Sequence, residues 1–447
     1  MITALIDVPR CLNVDACYVG SPRSVDRSGG VRLSAWNEAV HWGGTQAYRE
    51  QAVKECLDTI AVLRGYREPL ENETWLVPAA SERRLLAQVN AIIALGPEAL
   101  KQVIELSIDA DVPDPGRVFA GLLVLGCVEG HDWLESVHQL FVSAALRSPT
   151  EMGAAVEALS LGPNPELATV LERLRDDERP RVRSSAIRVL AFRGALSESY
   201  WTKAMGDPDT SVLSAALSAP LREYDRVSCE RTLRPLYRQR GSEWLVRLAL
   251  RAGLSLRLGT AHDCAVEITQ SDPSWADAVQ AMAMFGYLAD APHIRPALRG
   301  PHLQDCVDAA ARLGSIELVP DLLDLLDHSD LMPEAGTLAK QALTTITGLA
   351  FVATSDLPEA LDLWSLHSSR FDRGIRYRQG RPLTLDALLQ SLLTGPGARN
   401  VRQGIYLEML AATESRVPRF SAYDFVGIQN QSLRRIEHWL GGSQVQR

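Results

Sequence analysis

Apolar residues in the middle of the chain recur with a helical period, and one phrase returns at a fixed interval. Between Asp177 and Leu190 an acidic turn, Asp177-Glu178-Arg179, leads into Pro180 and then to Val182, Ala186 and Val189/Leu190, spaced to share one face of a helix. Proline suits the first helical turn because the N–H it lacks would have no acceptor there. Asp207-Pro208-Asp209-Thr210-Ser211-Val212, followed by Ala215 and Ala216, repeats the phrase, with Val212 standing 30 residues after Val182. Val246 with Ala249, Val279 with Ala281 and Ala283, and Val307 with Ala309 and Ala310 continue the series at intervals of about 30 residues, the length of one helix pair. Val118 with Ala120 and Val156 with Ala158 extend it toward the N-terminus.

A single helix pair cannot bury its apolar face, so such pairs stack on their neighbours, and small residues at the stack let the helices approach. Strand-like alternation is almost absent. The pattern therefore predicts an all-α fold, an α-solenoid of short helix-pair repeats over residues 81–350. Asp114-Pro115, Asp207-Pro208 and Asp272-Pro273 are the expected helix entries, each an N-cap followed by proline. Gly126, Gly194, Gly259, Gly286 and Gly314 follow apolar runs and are the expected helix ends.

Two flanks depart from the repeat. Residues 1–80 read as an N-terminal loop and helical extension, with loop-forming Gly20-Ser21-Pro22-Arg23-Ser24 and Ser28-Gly29-Gly30, then helices at Ala35–Trp42 and Gln46–Leu63. Residues 351–447 read as a C-terminal helical cap, holding a helix with Trp364, an arginine-rich segment from Arg370 to Leu383, and further helices in which Val401, Ile405, Leu407 and Leu410 resume the pattern.

Composition narrows the function classes. With 447 residues the chain exceeds one ordinary core, and 46% hydrophobic with 23% charged residues lies in the folded range. A formal charge of -9 gives no general attraction to nucleic acid or anionic membranes, which disfavours both as partners. The N-terminus lacks the basic and apolar regions of a secretory signal, and the longest apolar run, Val118–Val128, is about half of what a membrane span needs. Seven scattered cysteines, at 11, 17, 56, 127, 229, 264 and 306, form no CxxC pair and suit reduced thiols in a cytoplasm. Lysine occurs only at 54, 101, 203 and 340, so arginine supplies nearly all positive charge, which reads as codon bias.

Few residues carry candidate chemistry. A helix starting at Gly130 would place His131, Glu135 and His138 on one face as metal ligands, but the HExxH order of a metalloprotease is missing and a polar helix face is the favoured reading. Asp321, Asp324 and Asp327 interleave with Leu322, Leu323, Leu325 and Leu326, which marks a solvated edge beside a buried face. Cys264 adjoins His262 and Asp263, yet adjacent residues on a helix point about 100° apart and do not make a nucleophile pair. Walker A, GxGxxG and GxSxG motifs are lacking, so the reading is a non-enzymatic protein with no catalytic, cofactor or metal site. The one local feature suited to a charged partner is the arginine run, with Arg370, Arg373, Arg376, Tyr377, Arg378 and Arg381 as candidate partner-binding residues. Arginine grips carboxylates and phosphates bidentately, and the competing reading is a solvated or internally paired loop.

The phrase Asp177–Gly194 resembles the HEAT-like repeats of phycobiliprotein lyases and bacterial scaffolds. A wider resemblance, over roughly residues 80–440, rests on Glu82-Arg83-Arg84-Leu85-Leu86-Ala87-Gln88-Val89, Asp114-Pro115-Gly116-Arg117-Val118-Phe119-Ala120, the central repeats, Gly380-Arg381-Pro382-Leu383 and Arg402-Gln403-Gly404-Ile405-Tyr406-Leu407-Glu408. These are similar to a family of bacterial HEAT-repeat proteins often encoded beside type VI secretion genes; the first 70 or so residues lie outside its pattern. The resemblance implies a cytoplasmic adaptor or chaperone for a secreted effector or secretion-apparatus component, and it brings no catalytic residues. HEAT-fold iron hydroxylases bind metal through paired His-Glu dipeptides, and this chain has none. The expected function is a protein-binding scaffold. An immunity protein against a secreted toxin is the alternative, with a bilin lyase-like or nucleic-acid-binding repeat protein behind it.

Overall fold

A computed structural model describes residues 46–70, 73–108, 112–239, 242–327, 333–395 and 397–444. The expected loop and first helix before residue 46, and Cys11 and Cys17, lie outside the described residues. The chain divides into two compact units, one of Met1–Ala219 with Pro396–Val401 and Phe420–Ser432, the other of Pro220–Gly395 with Arg402–Arg419 and Leu433–Arg447.

The first unit contains α1 (Gln46–Gly65), α2 (Ala79–Ala94), α3 (Pro97–Ile108), α4 (Pro115–Cys127), α5 (Leu134–Arg147), α6 (Pro149–Leu161), α7 (Leu167–Leu174), α8 (Pro180–Arg193), α9 (Glu198–Ala204) and α10 (Thr210–Leu217). Helices α4, α6, α8 and α10 pack in succession as one layer, while α3, α5 and α7 form a second. This is the alternation of an α-solenoid, and it buries the repeated positions: Val118, Ala186, Val182, Ala215 and Val212 are at most 1% exposed. Val156 is only half-buried, so Ala158 carries that repeat.

The acidic turns act in a way their order in sequence did not predict. Asp177 accepts from the N–H of Arg179 at 2.9 Å and Asp207 from the N–H of Asp209 at 2.9 Å, the same turn in two successive repeats. The Asp207 carboxylate also takes the Arg183 guanidinium, and since α10 starts at Thr210 its cap is Asp209 and not Asp207. Asp272 likewise turns the chain through the N–H of Ser274, ahead of a helix that starts later, whereas Asp114 is the expected cap, accepting from the N–H of Arg117 at 3.0 Å. Among the glycines, Gly194, Gly286 and Gly314 end helices with positive φ. Gly126 lies inside α4, close against Gly162, and Gly259 opens a helix instead of closing one.

The first unit also takes in part of the C-terminal region. Arg67, just past α1, is 2% exposed. Its guanidinium pairs with Glu82 at 3.2 Å and Glu157 at 2.5 Å, donates to the Tyr423 carbonyl at 3.1 Å and covers the Phe425 ring.

The second unit contains α11 (Arg226–Leu233), α12 (Glu243–Ser255), α13 (Gly259–Ser271), α14 (Ala276–Phe285), α15 (Ala291–Ile294), α16 (Leu303–Leu313), α17 (Val319–Asp327), α18 (Pro333–Thr347), α19 (Leu357–His367) and α20 (Leu385–Thr394), with β1 (Tyr377–Arg378) and β2 (Arg381–Pro382) between the last two. Helices α12, α14, α16 and α18 pack in succession, with α13 against α15 and α17 against α19 in a second row. Val246, Val279 and Val307 are buried in the first of these rows. Two further helices, α21 (Arg399–Ala412) and α22 (Val426–Gln444), complete the described fold. Along α21 every residue from Gly404 to Met409 is buried, as is Arg402, while Val401 is 42% exposed. The apolar positions there do not define a one-sided repeat face, because residues 404–409 are buried all round while the ends of the helix are exposed.

Candidate partner-binding surface around the arginine-rich segment

The last turn of any α-helix leaves carbonyls without intrahelical partners. In the second unit two such ends, those of α16 and α18, are met by one stretch of chain, residues 376–380. The Tyr377 N–H donates to the Gly314 carbonyl at 2.8 Å, the Gln379 N–H to Thr345 at 2.6 Å and the Gly380 N–H to Ile346 at 3.0 Å. Arg376 donates through Nε to the Leu313 carbonyl at 2.8 Å and through Nη2 to Arg312 at 3.0 Å.

Close approach of two backbones is what Gly314 provides. Its φ of +67° disfavours a side chain, and a Cβ there would collide with the Tyr377 backbone. Gly348 meets the Gln379 backbone in the same way, whereas Gly286 lies against the Arg376 guanidinium. The segment then reverses: Arg378 pairs with Arg381 in a two-residue hairpin whose turn residues Gln379 and Gly380 have φ of 52° and 72°. Both values are positive, as a type I′ turn requires.

Three of the six candidate residues are therefore engaged within the fold. Tyr377 is 5% exposed; its hydroxyl accepts from the Asp372 N–H at 2.8 Å and its ring meets Phe371 edge-on, which in turn lies against Trp364. Arg378 and Arg312 hold the two carboxylate oxygens of Glu408 on α21, at 3.0 and 3.3 Å. Burial pulls the Arg376 guanidinium down to about 10 and that of Arg402 on α21 down to about 9, values that leave both charged at neutral pH. The other three, Arg370, Arg373 and Arg381, are exposed. Near them in sequence Leu361, Leu366 and Ile375 are 46%, 73% and 37% exposed. Exposed basic and apolar residues thus flank a segment fastened to two helix ends.

The remaining candidates fall elsewhere. His131 precedes α5 instead of lying on it, so the shared face with Glu135 and His138 does not form; His131 is 3.6 Å from Glu166. Leu322, Leu323, Leu325 and Leu326 are buried while Asp324 and Asp327 are exposed, and Asp321 pairs with Arg295 at 2.8 Å. Cys264 donates to the Tyr237 carbonyl, and His262 turns to Asp290 at 2.9 Å, not to the thiol. Burial pushes the Cys127 thiol up to about 12 and Cys306 to about 11, far from a reactive thiolate. Among the described residues no group of three or more His, Cys, Asp and Glu side chains is placed to hold a metal, and no helix is long and apolar enough to cross a membrane.

Arginine as a carbonyl clamp is the role the composition did not disclose. Arg147 donates to the carbonyls of Ser107 and Ile108, Arg193 to those of Leu159, Gly162 and Asn164, and Arg257 to Ala411. One planar guanidinium with five N–H groups can serve several orphan carbonyls, which a lysine ammonium does less well. The available signal was positional: Arg147 and Arg193 each stand in the last turn of a helix.

No family model matches the chain, and none of the curated proteins matches it. Among solved structures, human deoxyhypusine hydroxylase in complex with glycerol is similar at 15% sequence identity over 72% of this chain and 98% of that one, with a TM-score of 0.21.

Proposed function

We propose that this chain is a non-enzymatic protein-binding scaffold, and that an acidic partner surface docks where Arg370, Arg373 and Arg381 are displayed. The observation that carries the reading is the division of labour within one short segment: Arg376, Tyr377 and Arg378 tie it to the helix ends, while Arg370, Arg373 and Arg381 are exposed, with exposed leucine and isoleucine near them in sequence. Arginines with apolar anchors, on a backbone whose conformation is already set, lose little entropy on association and discriminate partners by charge. Stacked helix pairs are an architecture suited to holding another macromolecule along an extended surface. The sequence resemblance supports a cytoplasmic adaptor or chaperone in a type VI secretion-related system as the setting, with an effector or an apparatus component as the partner.

Affinity capture from native lysate with the tagged full chain, wild type against R370E/R373E/R381E, tests this. The reading requires one protein at near-stoichiometric yield with the wild type and its loss from the variant, with melting temperature unchanged. Equal capture by both proteins would refute the assigned surface, and recovery of a single toxin would move the setting from adaptor to immunity protein.

A further inference from the structure

A second cationic surface lies on α11, at the start of the second unit. This helix buries Cys229 and Leu233, four residues apart, and is fixed at its first residue by Arg226, which reaches Glu414 at 3.3 Å and the Arg257 carbonyl at 2.8 Å. Its other face carries Val227, Glu230, Arg231 and Arg234, and continues through Pro235 into a tight 3-10 turn that ends at Arg238. These six residues line an open groove of about 650 Å³. Arg231, Arg234 and Arg238 are all exposed, and Val227 is 63% exposed.

Six other arginines of this unit are held within the fold. Arg226, Arg257, Arg295, Arg312, Arg376 and Arg378 each bond a carboxylate or a main-chain carbonyl. Arg231, Arg234 and Arg238 make no ion pair or side-chain hydrogen bond among the described residues. Three guanidiniums line one groove in a chain of net charge -9, and its single carboxylate, Glu230, forms no ion pair with any of them, so the groove keeps a positive excess.

We infer that this groove is a separate docking site for an acidic polypeptide segment, whose carboxylates pair with Arg231, Arg234 and Arg238 while an apolar side chain covers Val227 and Pro235. Charge complementarity selects the anion, and the exposed valine and proline select protein over nucleic acid. Glu230, in the same groove, opposes a closely packed phosphate backbone and leaves room for spaced carboxylates.

The test is fluorescence anisotropy of a labelled short peptide of alternating glutamate and leucine, titrated with the full chain at low salt. R231E/R234E/R238E is expected to bind it at least about tenfold more weakly than wild type, and R370E/R373E/R381E to lose clearly less. The milder R231A/R234A pair, whose helical signal and melting should match wild type, is expected to show an intermediate loss. Absence of binding to the wild type, an equal loss in both charge-reversed variants, or preferential displacement of the peptide by oligothymidylate would each overturn the inference. Because the control variant carries the other surface, failure here leaves the scaffold reading standing, and failure there leaves this one.

Discussion

Arg67 and Glu82 form an ion pair 3.2 Å apart with side chains only 1% and 5% exposed, and both also bind the returning C-terminal chain: Arg67 through the Tyr423 carbonyl, Glu82 through the Val426 N–H at 2.7 Å. Burial raises the Glu82 carboxyl above the usual carboxylate range even with Arg67 beside it, so desolvation exceeds attraction at this position. What the pair secures is the placement of residues 420–432 on the first unit.

Removing one member leaves the other buried and uncompensated. Arg67→Met is expected to lower the unfolding free energy of the first unit by about 3 to 5 kcal/mol, measured by urea denaturation, and to release residues 420–432 to proteolysis. A double Arg67→Met/Glu82→Leu change should recover part of that loss, since it removes the uncompensated charge but leaves the buried Val426 N–H without its acceptor.

Packing between repeats is tested at Ala186, which is fully buried in α8. A large side chain has no space there, so Ala186→Phe should destabilise by about 1 to 3 kcal/mol, read as a lowered melting temperature. An unchanged melting temperature would contradict the stacking assigned to α8.

Much of this was legible in the sequence. The period of Val182, Ala186 and Val212 disclosed helix pairs and their spacing, because burial in a stack leaves only small and apolar residues at those positions. The ends of helices were read less well: Asp207 and Asp272 sit before prolines as caps do, but each turns the chain first. The arginine segment stood out by composition, yet its split into inward Arg376 and Arg378 and outward Arg370, Arg373 and Arg381 depends on partners far away in sequence, Gly314, Glu408 and the end of α18. No local pattern encodes those partners. Buried Arg402 and Glu408 were passed over for the same reason, since charged residues read as solvated until their counterpart is known.

Gly314 makes that long-range dependence testable. Gly314→Ala should destabilise by about 1 to 3 kcal/mol, from a left-handed backbone together with the collision against Tyr377. In limited trypsin digestion it should expose cleavage after Arg376 and Arg378, which are expected to resist cleavage in the wild type.

Stability of the second unit should depend on pH through His262. Its hydrogen bond to Asp290, 2.9 Å away and buried, raises the imidazole above its ordinary value, assisted by the Asp290 and Asp263 charges and opposed by desolvation. A raised folded value means the protonated form favours the fold: the contribution is complete below the unfolded value of about 6.5 and is lost as pH rises through the folded value. The melting temperature should therefore fall as pH rises through that window, and His262→Gln should flatten the profile. An identical pH profile in the variant would show that the pair contributes nothing.

The central claim is that one set of arginines builds the fold while its neighbours bind. The most direct measurement compares R376Q/R378Q with R370E/R373E/R381E, each followed by thermal melting and by quantitative capture of the partner. The account predicts a lowered melting temperature for the first variant, and for the second a wild-type melting temperature with capture abolished. Full capture by R370E/R373E/R381E, or a wild-type melting temperature for R376Q/R378Q, would contradict it.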